Sequence, residues 1–171
     1  YLLIKYSLIL SFVICHTIVW FFNGSPYMLF LDEKIVTPRK NEIQIKLKYI
    51  ERLKEKVNSK NSISTCVLFG SISRGEMHER SDIDIRMIRT QGFKNSIKAF
   101  LFGMRERSYC AIHKIPLGGG YIGDSILFFE KMRDDEPPII LKDTKNIIKN
   151  NYTTYYHAKD IIRLNKLEET I

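Results

Sequence analysis

Residues 68–88 read LFGSISRGEMHERSDIDIRMI: an apolar run stopped by Gly70-Ser71, an Arg74-Gly75 step, a polar spacer, then two aspartates one residue apart. Ser64–Phe69 is short, apolar and closed by Gly70, the pattern of a buried strand. Asp82–Ile88 alternates strictly, sending Ile83, Ile85 and Met87 to one face and Asp82, Asp84 and Arg86 to the other. Carboxylates at i and i+2 of one strand can hold a divalent cation jointly, and hard oxygen ligands of this kind suit Mg²⁺. A strand that ends in Gly-Ser and enters a helix turns backbone N–H groups and a hydroxyl toward one point, where phosphate oxygens can be received. Cradle and carboxylate pair together describe a pocket for a nucleoside triphosphate, with two cations gripping the entering and leaving oxygens of phosphoryl transfer. Each half alone is a common turn or the polar face of a strand. Their order along the chain carries the reading.

Outward from this stretch, Thr37 caps a predicted helix, Pro38 fits its first turn, and Ile43, Leu47, Ile50, Leu53 and Val57 repeat at helical spacing. Lys46, Lys48, Arg52, Lys54 and Lys56 fall mostly off that stripe and read as a solvated face. Downstream, residues 91–107 contain a predicted helix with Phe93, Ile97, Phe100 and Leu101 along one side. Residues 109–117 read as a third strand, followed by Gly118-Gly119-Gly120. Asp124-Ser125 then caps a predicted helix over 126–133, Pro137-Pro138 ends it, and 139–141 is a short final strand. The tail beyond 142 reads as helical. The expected fold is α+β, a small mixed β-sheet flanked by helices, with an N-terminal hydrophobic helix.

Residues 6–22, YSLILSFVICHTIVWFF, hold no formal charge and end in aromatic residues suited to a membrane interface. As a helix of about 1.5 Å rise per residue this run is near the lower limit for crossing the hydrocarbon core. A buried helix or a signal-peptide core is the plainer alternative, though no small-residue cleavage site follows. Lys5 precedes the run, and Lys34, Arg39 and Lys40 follow it, which puts the folded part on the cytoplasmic face of a membrane. The expected organisation is therefore 1–31 membrane-associated, 32–150 the catalytic domain and 151–171 a C-terminal helical tail.

The 171 residues suit one domain with an appendage, and a 44% hydrophobic content excludes wholesale disorder. The formal charge of +8 invites a polyanion: nucleotide, nucleic acid or an anionic membrane face. A nucleic-acid binder ranks last, because the basic and aromatic residues do not interleave as a stacking platform does. Cys15, Cys66 and Cys110 form no metal-ligand spacing and no disulfide framework, which favours a reducing compartment.

The run from residue 66 to 88 resembles the signature of the DNA polymerase β-like nucleotidyltransferase superfamily, in particular its small single-domain members. Gly70, Ser71, Arg74, Gly75, Ser81, Asp82 and Asp84 all stand in the places of that signature. The resemblance implies transfer of a nucleoside monophosphate from a nucleoside triphosphate to a hydroxyl acceptor: a protein side chain, a sugar or a lipid-linked glycan. It implies Gly70, Ser71, Arg74 and Ser81 as nucleotide-binding residues, with packing and pairing to a neighbouring acid an equal alternative for Arg74, and Asp82 and Asp84 as catalytic ligands of two Mg²⁺ ions. It also implies a third carboxylate on the strand after the intervening helix, where this chain has Gly118, Gly119 and Gly120. Asp124 reads as a helix cap, and His113 as a core histidine or a weak substitute base. The competing reading is a catalytically degraded module that binds nucleotide or a partner.

Overall fold

A continuous buried run makes the centre of the sheet, apolar–polar alternation makes the strand beside it, and helical periodicity fixes what packs on them. The computed structural model describes residues 7, 10–17, 42–125 and 136–167, and the chain divides into two units, Tyr1–Thr37 and Pro38–Ile171. In the first unit residues 10–17 are helical and exposed. The expected membrane segment over 6–22 otherwise lies outside the described residues, as does the helix start at Thr37. Among the described residues no helix is long and apolar enough to cross a membrane.

In the second unit α1 (Glu42–Asn58) leads to β1 (Ile63–Phe69), a single helical turn α2 (Ser71–Arg74) and β2 (Ile83–Arg89). Then follow α3 (Phe93–Ile112), β3 (Leu117–Gly123), β4 (Ile139–Asp143), α4 (Ile147–Asn151), β5 (Tyr156–His157) and α5 (Ile161–Leu164). The strands form one mixed sheet in the order β3-β2-β1-β4-β5. The β1–β2 and β1–β4 pairs are antiparallel; β2–β3 and β4–β5 are parallel.

β1 is central and buried along its whole length. Cys66 and Leu68 join Ile83, Ile85 and Met87 of β2 in the main core, against Ile50, Leu53 and Val57 of α1. Val67 and Phe69 enter a smaller core on the opposite face, with Ile88, Ile140 and Ile148. Burying side chains of this size contributes about 1.5–3 kcal/mol each, so both layers hold the sheet in register.

Several expectations are corrected. Residues 109–112 are not strand: α3 continues to Ile112 because Tyr109 and Cys110 pack back onto α1. The Arg52 guanidinium lies 3.5 Å above the Tyr109 ring and donates at 2.5 Å to Glu106, which is itself buried. The third strand begins at Leu117, so the three glycines are part of β3. The buried side of α3 is Ala99, Phe102, Glu106 and Cys110, whereas Phe93, Ile97, Phe100 and Leu101 face solvent. Lys46, expected on a solvated face, is buried. The region beyond 142 contains short helices and a two-residue strand, and its described residues belong to the same unit as the sheet. The helix expected over 126–133 lies outside the described residues.

Candidate active site

The antiparallel register that sets Phe69 opposite Asp84 brings the end of β1 to the start of β2. Gly70 makes the turn with a φ of 80°, in the left-handed region that side chains with a Cβ resist. A Cβ on Gly70 would also sit 2.6 Å from Asp84 Oδ2, so this glycine provides both the turn and the space for the carboxylate. Ser71 follows directly. Its hydroxyl is buried and has no hydrogen-bond partner among the described residues. A buried hydroxyl ordinarily finds a partner, since leaving it unpaired costs about 1–3 kcal/mol.

β3 closes the site from the other side. A Cβ on Gly118 would lie 2.3 Å from Asp82 Oδ2 and 2.5 Å from Asp84 Oδ1. Both carboxylates therefore converge over one backbone position of β3, as their alternation along β2 requires. Asp82 is exposed and Asp84 half-buried. Oxygens gathered this closely fit a hard cation, whose oxygen contacts are about 2.1 Å for Mg²⁺. Ser71 follows Gly70, against which Asp84 Oδ2 lies, and a hydroxyl without a partner among the described residues fits a phosphate oxygen. The residues present thus suit Mg²⁺ together with a polyphosphate. Among the described residues no third His, Cys, Asp or Glu joins the pair.

The other expected site residues support the loop. Ser81 Oγ accepts the His78 N–H at 3.0 Å, and the Ser81 N–H returns to the His78 carbonyl at 3.0 Å, closing the turn that delivers Asp82. Arg74 donates to Glu76 at 2.8 Å and also pairs with Glu136, just ahead of β4. Asp124 lies at the far end of β3, where it forks onto Arg89, the last residue of β2. Six residues at about 3.3 Å each separate that end of β2 from its start, so Asp124 does not substitute as a third acid. His113 caps the C-terminus of α3, exposed and stacked on Tyr109 at 3.9 Å, and is neither core histidine nor strand residue. His78 is exposed, its Nδ1 accepting the Arg80 N–H at 3.2 Å.

Two supports were missed by the sequence reading. The buried Lys46 ammonium donates to the carbonyls of His78 at 3.1 Å and Glu79 at 2.6 Å, anchoring the spacer to α1. Its spacing from Ile50, Leu53 and Val57 was the available signal, since those positions share one helical face. Asn165 donates to the Ile72 carbonyl at 3.0 Å and accepts the Met77 N–H at 2.8 Å, tying the chain's end to the Gly-Ser turn. Nothing local in the sequence marks it. Gly75, with φ 75°, lets α5 come so near that a Cβ there would lie 2.5 Å from the Leu164 carbonyl oxygen.

Beyond the carboxylates, the same face carries Arg86, whose guanidinium lies 6.0 Å from the Phe69 ring centre. Tyr152 stands close by: burial raises its phenol above the ordinary range, and the Arg86 charge partly offsets that.

Residues 51–105 match the family model described as Polymerase beta, Nucleotidyltransferase. The matched stretch includes Gly70, Ser71, Arg74, Ser81, Asp82 and Asp84, while Gly118 lies beyond it. Comparison with curated proteins gives no match, and comparison with solved structures gives none either.

Proposed function

We propose that this chain, a member of the polymerase β-like nucleotidyltransferase superfamily by its match over residues 51–105, moves a nucleoside monophosphate from a nucleoside triphosphate to a hydroxyl acceptor. The observation that carries the reading is the convergence of Asp82 and Asp84 over Gly118, together with a Ser71 hydroxyl that has no partner among the described residues.

In this reading Ser71 donates to a phosphate oxygen, and Gly70 leaves the room that the Asp84 carboxylate needs beside the turn. Asp82 and Asp84 hold Mg²⁺, which when bound supplies charge neutralisation for the polyphosphate. Ser81, Lys46 and Asn165 fix the loop around these groups. Arg74 belongs to the proposed nucleotide set through the end of α2, which its pairs with Glu76 and Glu136 hold in place. With Gly118 where a third acid would stand, the acceptor's proton passes to the exposed Asp82 carboxylate or to solvent. The acceptor is a protein side chain, a sugar or a lipid-linked glycan. Membrane association through residues 6–22, at the cytoplasmic face, belongs to the same proposal and favours the lipid-linked class.

The Gly118 position also supports a second reading, a module that binds Mg²⁺-nucleotide without turning it over. Labelled nucleoside triphosphates with Mg²⁺ and mixed acceptors separate the two. The enzyme yields pyrophosphate and a labelled product, both lost in Asp82→Asn/Asp84→Asn. Tight binding with no pyrophosphate from any acceptor would establish the module instead.

A further inference from the structure

The orientation of α3 is opposite to what its apolar residues suggest, and that inversion defines a surface. One side of the helix packs inward through Ala99, Phe102, Glu106 and Cys110. The opposite side presents Phe93, Ile97, Phe100 and Leu101, which are 80%, 44%, 40% and 56% exposed. At 3.6 residues per turn these four form one stripe along the helix, not scattered exposures. A contiguous stripe of large apolar side chains on a soluble surface marks an interaction site.

The charges around the stripe identify the partner. Lys94, Lys98 and Arg105 are exposed and fall along one flank, at spacings of four and seven residues. The one acid in α3, Glu106, is buried and held by Arg52 and Lys56. α3 itself therefore presents an apolar centre and a basic edge and contributes no exposed acid, and Asp124, which reaches Ser96 of α3 through Arg89, is paired with that arginine. Lysine and arginine stems lie along apolar surface while their heads reach for anions, which is the arrangement of a helix resting in an anionic bilayer interface. Nucleic acid fits less well, because phosphates would meet Phe, Ile and Leu at the centre of the face. A second copy fits less well too, since it would bring the same positive edge against this one in a chain of net charge +8.

We infer that the outward face of α3 is a docking surface for an anionic phospholipid bilayer, formed by Phe93, Ile97, Phe100 and Leu101 with Lys94, Lys98 and Arg105. It is independent of residues 6–22. It also stands apart from the nucleotide site, so its failure would leave the catalytic proposal untouched.

The test places an indole on the face of the full-length chain, Phe93→Trp in a Trp20→Phe background. Vesicles of phosphatidylcholine alone are compared with vesicles of equal parts phosphatidylcholine and phosphatidylglycerol. The expected result is a blue shift of the indole emission and quenching by brominated lipid with the anionic vesicles. Lys94→Glu/Lys98→Glu should weaken that response at least about tenfold, and added salt should also reduce it. Leu101→Trp provides a second reporter should the first variant fold poorly. Indole emission that stays water-like at both positions overturns the inference, even if the chain sediments with vesicles through residues 6–22. A concentration-dependent shift without lipid, or a shift with an oligonucleotide and none with vesicles, overturns it in favour of self-association or nucleic acid.

Discussion

A Cβ at Gly118 would sit 2.3 Å from Oδ2 of Asp82, so the carboxylate occupies the space above the β3 backbone that a side chain would need. Gly118→Ala would push Asp82 and Asp84 away from that point without touching the cores. The expected outcome is a loss of Mg²⁺-nucleotide affinity of about tenfold or more, roughly 1.4 kcal/mol, with little change in the urea unfolding midpoint. Calorimetric titration alongside urea denaturation checks both parts.

The loop that delivers Asp82 depends on a buried cation. Lys46→Met removes the donor from the Glu79 carbonyl and one of the two donors to the His78 carbonyl, which keeps the Ser81 N–H; losing hydrogen bonds from a charged donor costs about 1.5–3 kcal/mol. Unfolding in urea should shift by that amount, and nucleotide affinity should fall with it. Asn165→Ala should behave alike, because it releases both the Ile72 carbonyl and the Met77 N–H. Unchanged nucleotide affinity in both variants would mean that the loop keeps its shape without them.

What was legible in the sequence follows from how local each signal is. β1 and β2 could be read because alternation and the Gly70 stop act within a few residues. The Asp82–Asp84 face followed from the same alternation. The end of α3 could not be read that way: residues 109–112 look strand-forming, but Tyr109 stacks near Tyr49 and under Arg52, so tertiary packing overrides local preference. The α3 stripe was legible as one side of a helix, but apolar periodicity does not say whether that side turns inward. Lys46 was misassigned by charge, although its spacing placed it among buried neighbours. Asn165 acts across the chain, and no neighbouring residue announces such a contact.

Alkaline pH should unfold the protein. Burial, ahead of a contribution from Glu106, raises the Cys110 thiol from 9.0 to about 11. Burial also raises the Cys66 thiol and, with Cys110 beside it, the Tyr49 phenol. All three groups release their protons in the unfolded chain at lower pH than in the folded one. Their contribution is therefore complete below the unfolded thiol value of 9.0 and declines above it, for Cys110 until about 11. Lys142, lowered by burial, acts in the opposite sense, but the Tyr152 phenol, raised by burial, acts with the other three. Urea midpoints measured between about pH 8 and about pH 10.5 should fall steadily. A flat profile would show that these groups do not ionise differently in the two states.

The central claim is that the Gly70-Ser71 turn and the two aspartates form one pocket for a metal-bound triphosphate. Its most direct test is calorimetric titration of a non-hydrolysable nucleoside triphosphate into the full chain, with Mg²⁺ and with chelator. The expected result is binding that requires Mg²⁺, is abolished in Asp82→Asn/Asp84→Asn, and is weakened about tenfold or more in Ser71→Ala. Binding of equal strength with chelator, or undiminished by the aspartate substitutions, would contradict it.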